Sequence, residues 1–286
     1  PPQPPAARSG KGGRPAAPVA DPPAAPEASR SGKGGRTPEL EAEEPVVEPM
    51  KEAVVAISEI RKRVRELRGE VEGPMAPEWE AAASRVVKLP AFQAAKVIRV
   101  HLNIRTDHVR LAALQAGKKL VVVIKDMYEL LLVDPAKIRK SQYEEAATPS
   151  GIKKFGRKLD VTSTTLKVDL FVIASMAVDS RSGCRVGPRG SSEELEYGML
   201  REIGALSKKT PVVTIADSYA LVQGITLQEG LLCSKVPADI VCTAKRTFVV
   251  KRQGRKLQGL DWEKLGNRKL GALRLLRKLK SMKAEA

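Results

Sequence analysis

The residues in this chain best able to do chemistry are cations set among small residues. The heptapeptide Arg-Ser-Gly-Lys-Gly-Gly-Arg occurs at Arg8–Arg14 and again at Arg30–Arg36. Lys11, Arg14, Lys33 and Arg36 stand beside glycines there, so a cation can approach a phosphate oxygen with no bulky neighbour in the way. A second basic set lies toward the other end, with Lys251, Arg252, Arg255 and Lys256, then Arg274, Arg277 and Lys278. Such sets bind polyanions by charge, and these residues are the expected contacts to RNA phosphates. The plainer reading of the same residues is a solvated linker and a docking helix with a charged outer face.

Other chemistries find less support. Cys184, Cys233 and Cys242 are widely spaced and form no C-x-x-C pair, so no structural zinc site is expected. A low, odd cysteine count suits buried thiols in a reducing compartment. His101 and His108 have no cysteine or carboxylate cluster at ligand spacing, and each is expected to be structural or at the surface. No metal ligands are expected. Aromatic residues make up only 3% of the chain, too few for a stacking platform on single-stranded nucleic acid. The net charge of +17 over 286 residues points instead to phosphate backbones, an anionic membrane surface or an acidic protein. No apolar run reaches the length of a membrane span. Pro1 fits either a fragment or a mature chain after loss of a targeting segment.

Behind these residues stand the elements that must position them. Residues 1–45 form a low-complexity basic and acidic extension with almost nothing to fill a core. Residues 46–250 read as an α/β domain, and 251–286 as a basic extension with an amphipathic helix. Val54, Val55, Ile57, Ile60, Val64 and Leu67 recur at helical spacing and stop at Gly69. Strands are expected at Val97–Leu102, Lys119–Ile124, Val168–Ala174, Pro211–Ile215, Pro237–Cys242 and Thr247–Val250. Helices are expected at Asp107–Gln115, closed by Gly117, at Pro135–Ala146, and at Ser192–Ile203, closed by Gly204. Leu265, Leu270, Leu273, Leu276 and Leu279 mark the last helix. Strands alternating with helices imply a mostly parallel sheet with flanking helices and ligands beyond the carboxyl ends of its strands.

Several stretches resemble one family in order and spacing. They are L-P-A-F-Q-A-A at Leu89–Ala95, V-R-L-A-A-L-Q-A-G-K-K-L at Val109–Leu120, and V-D-L-F-V-I-A-S-M-A-V-D at Val168–Asp179. The run at Leu195–Ile215, V-P-A-D-I-V-C-T-A-K-R at Val236–Arg246 and G-L-D-W-E-K-L at Gly259–Leu265 continue the match. Together they resemble the 5-formyltetrahydrofolate cyclo-ligase family, and most closely its methenyltetrahydrofolate synthetase domain-containing subgroup. The resemblance implies a cyclo-ligase-like α/β fold. Enzymes of this family use ATP and magnesium to activate the formyl oxygen of 5-formyltetrahydrofolate by phosphorylation, and ring closure then displaces it.

The family's phosphate loop, about R-I-G-x-G-x-G-Y-x-D-x-E-Y, is altered here to R-V-G-P-R-G-S-S-E-E-L-E-Y at Arg185–Tyr197. Arg189 and Ser191 replace glycines, Pro188 enters, Ser192 replaces the tyrosine and Glu194 the aspartate. Glycine lets a backbone approach phosphates and adopt positive φ, and proline removes an amide donor. In the first helix Ile57 stands where the family usually offers a lysine. The subgroup's T-x-V-H-D is T-I-A-D-S at Thr214–Ser218, with Asp217 in place of the histidine.

The damaged loop and the basic tails lead to one expectation. It is a non-catalytic, cofactor-free pseudoenzyme that binds RNA beside ribonucleoprotein proteins, as in an organellar ribosome. A mitochondrial or other organellar location goes with it, a cytoplasmic one being the alternative. The competing expectation is an ATP- and magnesium-dependent cyclo-ligase acting on a folate. In that case the resemblance places Gly187, Arg189 and Gly190 at the nucleotide and Arg185 and Glu194 at the catalytic and metal site.

Overall fold

The computed structural model describes residues 57–69, 76–124, 129–160, 165–187, 192–223, 236–251, 256–260, 262, 265 and 274–284, all within the compact unit Glu43–Ala286. The expectations for Lys11, Arg14, Lys33, Arg36, Arg189, Gly190, Arg252 and Arg255 lie outside the described residues.

The chain runs α1 (Ile57–Gly69), α2 (Ala76–Val87), α3 (Pro90–Ala94), β1 (Val97–Val100), α4 (Asp107–Gln115), β2 (Lys119–Ile124) and β3 (Glu129–Val133). It continues with α5 (Tyr143–Ala147), α6 (Pro149–Phe155), β4 (Arg157–Lys158), β5 (Leu170–Ala174), β6 (Ala177–Val178) and β7 (Arg185–Val186). Then follow α7 (Glu193–Glu202), β8 (Val212–Ile215), β9 (Ile240–Cys242), β10 (Thr247–Val249) and α8 (Arg274–Ala284). Eight strands form one sheet in the order β10-β9-β8-β5-β1-β2-β3-β4, while β6 and β7 pair separately. The central neighbours β2, β1, β5, β8 and β9 are parallel, and both margins, β3 with β4 and β10, are antiparallel. This is the mostly parallel α/β sheet that the alternation of elements implies.

Side chains of a strand alternate between faces, and each face has its own helices. Ile98 and Val100 of β1 share one core with Val86, Phe92, Ala113, Leu114 and Ile152, from α2, α3, α4 and α6. Val97, Phe171 and Ile173 lie on the other face beneath Tyr197, Met199 and Leu200 of α7 and Leu276 and Leu279 of α8. The same alternation puts Arg99 on that second face, buried, and directs His101 the same way. Ile60 and Val64, one turn apart on α1, pack on Ala177, Cys184, Val186 and Val222.

Several boundaries differ from the sequence reading. The stretch Pro135–Ala146 is not one helix. Asp134 caps a single tight turn at Pro135–Lys137, and Ile138 and Arg139 are then extended, which sends Ile138 into the core. Helix α2 and strand β3 went unanticipated. Cys242 is a buried free thiol, whereas Cys184 is disulfide-bonded, correcting the expectation of a thiol there. No helix among the described residues is long and apolar enough to cross a membrane.

Candidate active site

From β1 the chain builds outward to β2, β3 and β4, then crosses back to place β5 on the opposite side of β1. The carboxyl ends of β1 and β5 therefore diverge into connections that leave in opposite directions, the usual crevice of an open α/β sheet. His101 follows β1, Ser175 and Met176 follow β5, and Asp217 and Ser218 follow β8.

Three arginines converge on this edge. Asn103 Oδ1 accepts from the Arg105 backbone N–H at 2.9 Å, fixing the turn that carries Arg105. The guanidinium of Arg105 donates to Ser175 O at 3.0 Å and lies 5.4 Å from the centre of the Trp79 ring. Burial lowers its proton affinity, nearby Arg68 lowers it further, and Asp217 opposes both. Arg68 reaches from α1 to Asp217 Oδ2 at 2.8 Å and to Met176 O at 3.3 Å. Arg61, two turns earlier on α1, donates to Gly187 O at 3.0 Å. Glu78 on α2 accepts from the backbone N–H and hydroxyl of Ser218 at 3.1 and 3.0 Å, seating Trp79 beside the end of β8.

Behind this edge α7 brings two buried carboxylates onto the sheet. Glu196 pairs with Arg99 and accepts from Ser192 Oγ. The Arg99 guanidinium lies 4.3 Å from the centre of the Phe171 ring, which meets Tyr197 edge-on at 5.1 Å. Glu193 lies 2.7 Å from Arg185 Nη2 and 3.2 Å from His101 Nδ1. Burial, then the Arg99 charge, push the His101 pKa below its ordinary 6.5, against Glu193 and Glu196, with Arg185 adding a smaller push downward.

The expected site residues fare differently. Gly187 lies at the edge, its carbonyl held by Arg61. Arg185 is fully buried, bound to Glu193 and donating from Nε to Val236 O at 2.8 Å. Glu194 is exposed in the first turn of α7. Lys256, expected on RNA phosphate, is instead buried, with Nζ 2.8 Å from Thr210 O and 2.5 Å from Asp239 Oδ2. Lys251 is exposed after β10, and Arg277 and Lys278 are exposed on α8, where Lys278 pairs with Asp160 at 2.8 Å. Arg274 opens α8. Sequence reasoning missed Arg68, Trp79, Arg99, Arg105 and Glu193. Arg99 did leave a signal: a charge inside the apolar strand Val-Ile-Arg-Val must find a buried partner.

These residues fit a magnesium–triphosphate group. Trp79 Nε1 and Asp217 Oδ1 are buried and have no hydrogen-bond partner among the described residues. That leaves a donor and an acceptor for a polar ligand beside three guanidinium groups. No cluster of three metal-ligating side chains exists among the described residues. Magnesium on a nucleotide takes only one or two carboxylates besides phosphate oxygens, and Glu194 is a carboxylate at the start of α7.

A model of the 5-formyltetrahydrofolate cyclo-ligase family matches residues 54–244. The methenyltetrahydrofolate synthase domain-containing protein of Bos taurus is 30% identical over 209 residues, covering 72% of this chain and 54% of that protein. The Homo sapiens protein of the same name is 28% identical over 209 residues, covering 72% and 53%. The chain spans about half the length of the curated relatives it matches. The NMR structure of Aquifex aeolicus 5,10-methenyltetrahydrofolate synthetase aligns at a TM-score of 0.46 and 20% identity, covering 72% of this chain and 97% of that one. The family match overturns the expectation of a cofactor-free RNA-binding ribosomal pseudoenzyme. The match is to a folate-enzyme family, where RNA and ribonucleoprotein proteins were expected as partners. The matched span takes in every element of the site from α1 to β9, and the chain belongs to the 5-formyltetrahydrofolate cyclo-ligase family.

Proposed function

We propose that this chain is an ATP- and magnesium-dependent 5-formyltetrahydrofolate cyclo-ligase with a remodelled nucleotide loop. The observation that carries the reading is the convergence of Arg61, Arg68 and Arg105 on the carboxyl ends of β5 and β8, beside Gly187. When bound, ATP supplies the phosphoryl group that turns the formyl oxygen into a leaving group. The arginines bind and orient the anionic end of that substrate, because guanidinium groups stay charged and offer paired donors to phosphate oxygens. Asp217 holds Arg68 in place. Loop glycines normally let backbone amides do this work, and in this chain side-chain cations take a larger share of it.

The test is turnover. Purified protein is given ATP, magnesium and 5-formyltetrahydrofolate, and ADP and the methenyl product are followed together. Folate-dependent ADP formation is expected, and Arg105→Ala should lower kcat/KM by about 10- to 100-fold in a folded protein. Absence of folate-dependent ADP formation, where an intact family enzyme turns over, overturns the reading.

A further inference from the structure

His101 stands where β1 ends and the connections of the sheet part. Its backbone N–H donates to Val172 O of β5 at 3.0 Å, so it bridges the two central strands near their carboxyl ends. Its carbonyl accepts from Thr106 Oγ1 at 2.6 Å and from Arg110 Nη1 at 2.9 Å. The main chain is therefore held from both sides at the crevice where an open α/β sheet takes its ligands. The turn that His101 begins carries Arg105 to Ser175 O, so the imidazole and the cations border one crevice.

The two ring nitrogens have different surroundings. Nδ1 is buried and lies 3.2 Å from Glu193 Oε1, off the linear hydrogen-bond direction. Glu193 is 1% exposed, and its other oxygen faces Arg185 Nη2 at 2.7 Å. Nε2 is hydrogen-bonded to no described residue and is not enclosed, so it reaches solvent through the 13% of the side chain that is exposed. A neutral imidazole carries its one proton where a donor is needed, and a buried carboxylate needs one at Nδ1. The lone pair is then left on Nε2, the open nitrogen. Arg99 from β1 and Arg185 from β7 oppose a charge on the ring, Glu193 and Glu196 from α7 favour one, and burial outweighs them, so the ring is neutral above pH 6.5.

We propose that His101 is a catalytic base: Glu193 holds the ring proton on Nδ1, and Nε2 takes the proton that N10 of the folate loses as the new ring closes. The substrate in this statement rests on the cyclo-ligase reading. In that step the N10 lone pair forms the bond to the formyl carbon. The bond from that carbon to the phosphorylated oxygen breaks, and its electron pair leaves with phosphate. The N10 proton passes to Nε2 and from there to water.

One readout needs no turnover. The chain has two histidines, His101 and His108. A nitrogen-15 spectrum of the labelled protein at about pH 8, assigned with His108→Gln, should show His101 protonated on Nδ1 and bare at Nε2. Turnover supplies the second readout. kcat for His101→Gln should fall about 100-fold or more with KM for ATP within about twofold. Its pH profile should lack the acid limb that the wild type shows below pH 6.5. Added imidazole should restore part of kcat to His101→Ala, growing with its free-base fraction, which a purely structural loss would not show. A proton on Nε2 overturns the assignment even if both variants fail to fold. A His101→Gln kcat within about threefold of wild type, or a loss in His101→Ala that imidazole leaves untouched, overturns it too. A wild type without turnover removes the cyclo-ligase reading and the base role with it, and the tautomer then decides the His101–Glu193 pair alone.

Discussion

Arg99 in β1 and Glu196 on α7 form an ion pair in the middle of the sheet's second face, with side-chain exposures of 0% and 2%. The Phe171 ring beneath the guanidinium completes its surroundings. Removing one partner leaves the other charge buried and unmatched, so Glu196→Gln or Arg99→Met alone should cost about 3–5 kcal/mol. Replacing both with apolar residues of similar volume should recover most of that loss. Urea unfolding of the two single variants and the double variant forms the cycle. Additive losses would show that the pair is not the unit that matters.

A pH dependence follows from His101. Arg99 from β1, Arg185 from β7, and Glu193 and Glu196 from α7 face it, and burial is the largest influence, so its pKa in the fold lies below 6.5. As pH falls below the unfolded value, the unfolded chain binds a proton that the folded chain does not. Stability is therefore full above 6.5 and declines as pH drops toward the folded value. The unfolding free energy should fall as pH drops below about 6.5, and His101→Gln should make that fall shallower. Equal slopes in the two proteins would assign the dependence to other groups.

The centre of the sheet was legible because its strands are buried on both faces. Lys119–Ile124 and Leu170–Ala174 are near-continuous apolar runs, and both form strands over the expected core residues. Helix α2 was not legible. Its buried positions Ala82, Ala83 and Val86 are mostly small, so its apolar stripe is faint beside the neighbouring glycines and prolines. Strand β3 is a run of leucines with no alternation, and only its antiparallel pairing with β2 and β4 defines it. The site was legible at Arg185–Gly187 as a motif but not as a geometry. The contacts of Glu193 depend on crossovers that bring β1, β7 and α7 together, and no local pattern records a pairing of His101 with a residue so distant in the chain.

Gly183 tests the hairpin that delivers Arg185. Its φ is +71°, and a Cβ there would lie 2.2 Å from Ala238 O. That oxygen belongs to backbone and cannot swing away. Gly183→Ala should therefore cost about 3 kcal/mol by combining left-handed strain with a clash. The loss should appear in urea unfolding, and exchange should quicken at β6 and β7 before it does in β5. A loss of only a few tenths of a kcal/mol would mean that the hairpin shifts freely.

Cys242 is the described thiol whose reactivity the fold should suppress. Burial pushes its pKa up to about 11, with a contact to Thr247 Oγ1 and the Arg85 charge pulling weakly the other way. At about pH 8 only about one molecule in a thousand then carries the reactive thiolate, before access is considered. Iodoacetamide should leave Cys242 unmodified in the native protein and alkylate it once urea unfolds the chain, with mass spectrometry of its peptide as the readout. The rate should follow the population of the open form as urea rises, because the thiol sits on β9 between β8 and β10 and reaches solvent only when those strands part. Native-state alkylation at the rate of a free cysteine would instead place the end of β9 in ready exchange with solvent, and would contradict its packing in the core shared with α2 and α4.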